Sequence, residues 1–301
     1  MEMSILRYNK FDYAYARYGD ADAPVIVLVM GLGMSSSLWP KSFIVSLVRK
    51  GFQVVTIDNR DSGRSTRFDE VKPHTWEILS AVVRSALRMK VQNVYALEDM
   101  AFDIERVLNE LGVRRAHVLG ASMGGMIAQS LAMQCPNRVA TLCSLSSASG
   151  NFFTGFGNVS VVASLLFGAQ RFGSDEEKRE YFRRFFTKIA GPVFPPTEEE
   201  ISVVLGKLEG MNYDVYAQRR QLLAILASGD RRQALRQIRV PTLVIHGSED
   251  PLLPVRAGRE CASLIKDARY VEIKGMGHVM THSLIEPLSA YVAEHCLTHP
   301  A

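Results

Sequence analysis

Cysteine is scarce in this 301-residue chain, and the four present, Cys135, Cys143, Cys261 and Cys296, never form a C-x-x-C pair. Their spacing suggests neither a disulfide framework nor a metal site, and Cys135 and Cys143 sit in or beside apolar patterns where buried free thiols are usual. No run of 18 apolar residues occurs, and Met1 to Arg7 lack the apolar core of a signal peptide. Stable membrane insertion is therefore not expected, and a cytoplasmic location is the default expectation. One-sided charge is missing too: Lys and Arg number 35 against 31 Asp and Glu, net +4, and the basic residues are scattered. Nucleic acid is not an expected partner. Internal repeats and low-complexity linkers are also absent.

What remains is 47% hydrophobic and 22% charged, enough for one sizeable core with an accessory lobe. Phe11 to Tyr18 alternates loosely as a strand, while Val25 to Met30 and Gln53 to Ile57 are short continuous apolar runs of the doubly covered, parallel type. Arg115 to Gly120, Val139 to Leu145, Val240 to His246 and Ala268 to Ile273 continue the series. Helical patterns at Leu38 to Lys50, Ala96 to Leu111, Met123 to Gln134 and Leu284 to Cys296 alternate with them. Such alternation predicts an α/β fold with a mostly parallel open sheet.

The alternation stops for about 90 residues after Leu145. Ser174 to Glu177 and Thr197 to Glu200 have capping-box spacing. Tyr181, Phe182, Phe185, Phe186 and Ile189, then Ile201, Val204, Leu205 and Leu208, recur at helical intervals after them. A helical cap over 147–235 is expected, inserted into a core made of 1–146 and 236–301.

Gly120-Ala121-Ser122-Met123-Gly124 places a serine between glycines, with a strand pattern before it and a helix pattern after it. That context predicts a strained strand-to-helix elbow, with helix N–H groups aimed at the site. A serine hydroxyl needs a base, and the base needs an orienting group. In open α/β sheets both belong beyond the carboxyl ends of strands. Asp250, in the turn after one such strand, and His278, in Lys274-Gly275-Met276-Gly277-His278 after the last, are the candidates. Glu249 and His282 are their nearest rivals, while His117 and His246, in or at the end of strands, read as core histidines. Gly275 and Gly277 favour His278 by letting the loop approach the serine closely.

With the chain order Ser, Asp, His, the sequence resembles an α/β-hydrolase with a helical cap. The resemblance implies the turn G-x-x-D-x-x-x-P, which Gly247 to Pro254 matches and which favours Asp250 over Glu249. It also implies an oxyanion hole from the N–H groups of Met123 and Leu32, the latter in Met30-Gly31-Leu32-Gly33-Met34, where Met30 replaces the family's usual histidine. Asp58 to Ser65 resembles the family's D-x-R-G-x-G-x-S loop with Asp61 in place of the first glycine, and its charged side chains are expected to tie loops together. The closest look is to the aclacinomycin methylesterase group. It is carried by Asn59 to Thr66, Ala224 to Arg231 and Gly275 to His278.

The function expected is a serine carboxylic ester hydrolase working through an acyl-enzyme, with Ser122, His278 and Asp250 as triad and no cofactor or metal. A carbon–carbon bond hydrolase of ring-cleavage diketones is the alternative, and a non-catalytic ligand receptor on the same fold is an alternative of another class. The apolar run Phe152, Phe153, Phe156, Val161, Val162, Leu165, Leu166 and Phe167 either faces the serine, which would imply a small hydrophobic substrate, or packs the cap's own core. Thr75 to Lys90 forms an amphipathic helix with Trp76, Leu79, Val82, Val83, Ala86 and Leu87 on one side. A cleft edge or a homo-dimer contact is expected for it ahead of membrane lipid.

Overall fold

The structure is a computed structural model that describes residues 3–167, 174–210 and 214–301. Met1 and Glu2, parts of the expected cap at 168–173 and 211–213, and the side chains of Leu166, Phe167 and Asp175 lie outside that description.

Eight strands form one sheet: β1 (Ser4–Tyr8), β2 (Phe11–Tyr18), β3 (Val25–Val29), β4 (Gln53–Ile57), β5 (Ala116–Ala121), β6 (Val139–Leu145), β7 (Thr242–Gly247) and β8 (Arg269–Ile273). Their order is β1-β2-β4-β3-β5-β6-β7-β8. The pairs β1–β2 and β2–β4 are antiparallel and the rest parallel, which is the mostly parallel open sheet expected from the alternation. Every residue of β3, β4, β6 and β7 is buried, because helices cover both faces. The strand β1 escapes apolar patterning: it is an edge strand whose residues are exposed except for half-buried Leu6.

The helices are α1 (Lys41–Arg49), α2 (Thr75–Ala86), α3 (Leu97–Glu110), α4 (Met123–Gln134), α5 (Phe152–Gly155), α6 (Val159–Phe167), α7 (Asp175–Ala190), α8 (Glu198–Gly210), α9 (Val215–Ser228), α10 (Arg232–Leu235), α11 (Val255–Leu264) and α12 (His282–Leu297). Met100 and Ile104 of α3, Ile127 and Leu131 of α4 and Cys261 of α11 pack into one apolar cluster with β3 and β5. Phe43 and Leu47 of α1 and Leu284, Leu288 and Val292 of α12 pack into a second cluster with alternate residues of the same strands. The first helix begins at Lys41 rather than Leu38: Ser36–Leu38 forms a single 3-10 turn, and Pro40 starts the helix where its missing N–H costs nothing.

Among the described residues only helices lie between β6 and β7. Both capping signals form: Ser174 Oγ accepts from Glu177 N–H, and Thr197 and Glu200 exchange bonds at 2.8 and 3.2 Å. Phe182, Ile201, Leu205 and Leu208 then bury one seam between α7 and α8. The amphipathic helix α2 keeps its larger apolar row off the core. Its core contacts are Ile78 and Ala81 against Leu223 of α9, while Trp76, Leu79, Val83 and Leu87 face outward.

Candidate active site

Strand β5 delivers Ser122 onto a turn it can hold only under strain. Its φ is +55° and ψ −121°, a region side chains rarely occupy, and α4 begins at the next residue. The turn is fixed by Ser122 N–H donating to Leu145 O at 2.9 Å and by Ser147 Oγ donating to Ser122 O at 2.8 Å. Both flanking glycines are sterically required: a Cβ on Gly120 would overlap the Gly124 carbonyl, and one on Gly124 would overlap the carbonyls of Val29 and Met30.

Two later strand ends complete the constellation. His278 Nε2 lies 3.0 Å from Ser122 Oγ, and its Nδ1 lies 2.7 Å from Asp250 Oδ2. Asp250 is buried, and its other oxygen accepts Leu252 and Leu253 N–H, both at 2.9 Å. The carboxylate is thus anchored by backbone on one oxygen and presented to the imidazole with the other. Of the rivals, Glu249 is paired locally with Ser248, and His282 opens α12, its N–H bonded to Glu200 Oε1 at 2.5 Å. Neither joins the Ser122 cluster.

His246 sits beneath this turn, fully enclosed, with Nε2 bonded to Leu253 O at 2.7 Å and 3.5 Å from Asp250 Oδ2. Burial lowers its pKa, outweighing the nearby Asp250 charge, so the neutral ring donates through Nε2 and holds the 250–253 turn. His117 is likewise a core residue, its Nδ1 3.0 Å from Thr141 Oγ1.

The glycines around Met276 serve a different neighbour from the one anticipated. A Cβ on Gly277 would overlap Ile189 O at the end of α7, and one on Gly275 would overlap Val193. His278 N–H donates to Ile189 O at 2.6 Å and Gly277 N–H to Ala190 O at 2.8 Å. The histidine loop is therefore docked on the end of α7 and the segment just after it, and the close approach that requires glycine is to these residues rather than to the serine.

The loop after β3 runs beside Ser122, since a Cβ on Gly31 would stand 3.2 Å from Ser122 Cβ. Among the described residues, neither Leu32 N–H nor Met123 N–H donates to a protein acceptor. The loop is held by its neighbours: Asn59 Nδ2 donates to Met30 O at 2.9 Å, Ser62 Oγ to Met34 O at 2.7 Å, and Gly33 N–H to Gln221 Oε1 at 2.6 Å. Gln221 Nε2 in turn donates to Arg60 O at 2.6 Å. The charged residues of 58–65 tie loops together: Asp58 receives Ser36 N–H at 2.7 Å, and Arg60 pairs with Asp103. Asp61 accepts from Tyr95, whose pKa is raised well above its ordinary value by burial and then by that carboxylate.

Gln221 and Arg220 escaped the sequence reading. Their signal is legible in retrospect, because Arg219-Arg220-Gln221 puts three large polar residues in the buried middle of α9, where each must find partners.

Leu32, Gly33 and Met34 form one wall of an apolar cavity whose other walls include Leu165, Phe182 and Phe185. The apolar run beginning at Phe152 is therefore divided. Leu165 lines this cavity, Val161 packs with Phe185 and Ile189, and Phe153 is exposed.

An open sheet of this order, together with ester-cleaving relatives, defines the class of the chain as a hydrolase. Residues 24–282 match the family described as alpha/beta hydrolase fold, and the chain belongs to that family. It is 30% identical over 298 residues to rhodomycin D methylesterase DnrP of Streptomyces peucetius, covering 91% of each protein. It is 26% identical over 289 residues to the bifunctional esterase/perhydrolase DCH of Acinetobacter calcoaceticus, covering 92% of this chain and 93% of that one. The enol-lactonase of Burkholderia xenovorans LB400 superposes with a TM-score of 0.72 at 24% identity over 98% of this chain and all of the other, a likeness of fold. The resemblance to the methylesterase group, read from short motifs, thus extends over most of the chain.

Proposed function

We propose that the chain is a serine carboxylic ester hydrolase acting on a small hydrophobic ester. The observation that carries this reading is the unbroken relay from Asp250 through His278 to Ser122, at 2.7 and 3.0 Å, set beside two undonated N–H groups. In this reading Ser122 Oγ attacks the ester carbonyl while His278 Nε2 takes its proton. Asp250 holds the Nδ1–H tautomer and stabilises the imidazolium. The N–H groups of Met123 and Leu32 receive the developing oxyanion, each worth about 10²- to 10³-fold in rate. His278 returns the proton to the leaving alcohol, and water then releases the acyl group by the same steps. The chemistry needs no metal or organic cofactor. Two relatives named as esterases support ester cleavage.

The test is a panel of esters graded in acyl and alcohol size, run beside Ser122→Ala and a fluorophosphonate label mapped by peptide mass. Labelling at Ser122 and turnover lost in Ser122→Ala are expected. Absence of an adduct on Ser122 would overturn the proposal. A ring-cleavage diketone turned over far faster than every ester would reassign the site to carbon–carbon cleavage.

A further inference from the structure

The exposed row on α2 is unusual for a surface helix. Trp76, Leu79, Val83 and Leu87 are 67, 54, 57 and 66% exposed. At about 100° per residue these four fall within an arc of about 80°, directly opposite Ile78 and Ala81, which pack on α9. Met89 and Val94, just past the helix end, are exposed too. Helix packing leaves the row uncovered, and an apolar patch of this kind marks a contact surface.

Its charge selects the occupant. Between residues 72 and 94, Lys72, Arg84, Arg88 and Lys90 stand against Glu77 alone, so this stretch carries +3 in a chain whose net charge is +4. Glu77 is engaged at the helix start, accepting His74 N–H at 2.6 Å. Among the described residues only Arg88 of the four cations has a carboxylate within reach, Asp230 at 4.0 Å, itself paired with Arg232. Arg84 is turned onto Lys90 O at 2.7 and 2.9 Å, which keeps its charge beside the apolar row.

We propose that α2 docks on an anionic phospholipid surface, with Trp76, Leu79, Val83 and Leu87 entering the headgroup boundary and Arg84, Arg88 and Lys90 meeting the lipid phosphates. An apolar row with a tryptophan and a basic flank is the makeup of a helix lying in the membrane interface. No helix among the described residues is long and apolar enough to cross a membrane, so this contact is with the surface. A second copy is the poorer occupant, because a two-fold contact through this row would set the same +3 rim against itself.

The test uses the full chain with vesicles of phosphatidylcholine alone and of phosphatidylcholine containing about one third phosphatidylglycerol. The protein should float with the anionic vesicles and not the neutral ones, and salt should weaken binding. The chain has two tryptophans and Trp39 is buried, so a blue shift of emission on binding reads Trp76. Leu79→Ser with Val83→Ser should abolish flotation, and Arg88→Gln and Lys90→Gln should each weaken it about five-fold, with circular dichroism and thermal midpoint unchanged. Equal binding to neutral vesicles, no flotation, or undiminished flotation of the serine variant would each overturn the proposal. A concentration-dependent dimer lost in the serine variant, without flotation, would give the surface to a second copy instead.

Discussion

Asp61 and Arg220, each without solvent exposure, form a two-pronged ion pair at 2.7 and 2.9 Å across 159 residues of chain. Asp61 has φ +61°, a conformation that favours glycine, and it stands where the family loop that this segment resembles has glycine. The substitution keeps the left-handed turn and adds a carboxylate that clamps α9 to the loop after β4.

Removing Arg220 leaves the Asp61 carboxylate buried without a cation, whereas removing Asp61 leaves Arg220 with Asp69 at 3.5 Å and Asp214 at 3.6 Å. Arg220→Ala should therefore cost about 3–5 kcal/mol in urea unfolding, and Asp61→Ala less. The double change Asp61→Gly with Arg220→Leu should recover much of that loss, since no uncompensated charge remains.

Gly124→Ala would push a Cβ into the carbonyls of Val29 and Met30, displacing the loop beside Ser122. Ester turnover should fall by at least about 10²-fold, even in preparations that remain folded. Gly206→Ala is the matched control: a Cβ there meets nothing within 4 Å, and the helix should gain about 0.5–1 kcal/mol.

Gln221→Ala removes the acceptor of Gly33 N–H and the donor to Arg60 O together. Unfolding free energy should drop by about 1–3 kcal/mol. If Leu32 N–H serves the oxyanion, kcat should fall by up to about 10²-fold with KM for a small ester nearly unchanged. Steady-state kinetics on one short-chain ester separates the two effects.

Burial lowers the pKa of His246 and of His295 in the folded protein. Above about pH 6.5 both are neutral folded and unfolded, so they add no pH dependence. Below it the unfolded chain binds protons that the folded chain refuses, and stability falls with a slope of up to about 1.4 kcal/mol per pH unit per histidine. Unfolding curves between pH 7 and 5 should show this decline, and His246→Gln should flatten it.

Leu165 lines the cavity against Leu32. Leu165→Trp should raise KM for bulky esters while leaving acetate esters little affected, measured on the same graded panel. Equal effects across the panel would place the substrate elsewhere.

Much of this was readable in the residue order. Buried parallel strands appear as nearly continuous apolar runs, so β3, β4, β6 and β7 stand out, whereas the exposed edge strand β1 leaves no such trace. Asp250 and His278 were findable because strand ends concentrate function and their turns carry marked spacing. The glycines beside Met276 were visible too, but their neighbours, the end of α7 and Val193 after it, were not. Helix α2 is apolar on two sides, and periodicity does not say that Ile78 and Ala81 are the ones that meet α9.

The sequence by itself determined the sheet class, the elbow and the identity of the residues proposed to act, because these depend on local sterics and on short-range apolar pattern. Only the tertiary structure decided which distant groups meet: His278 with Ser122 across 156 residues, Gln221 with Gly33 across 188, and Arg220 with Asp61. Those pairings follow from strand order and helix docking, where packing of the whole core selects the partner and no local propensity encodes it.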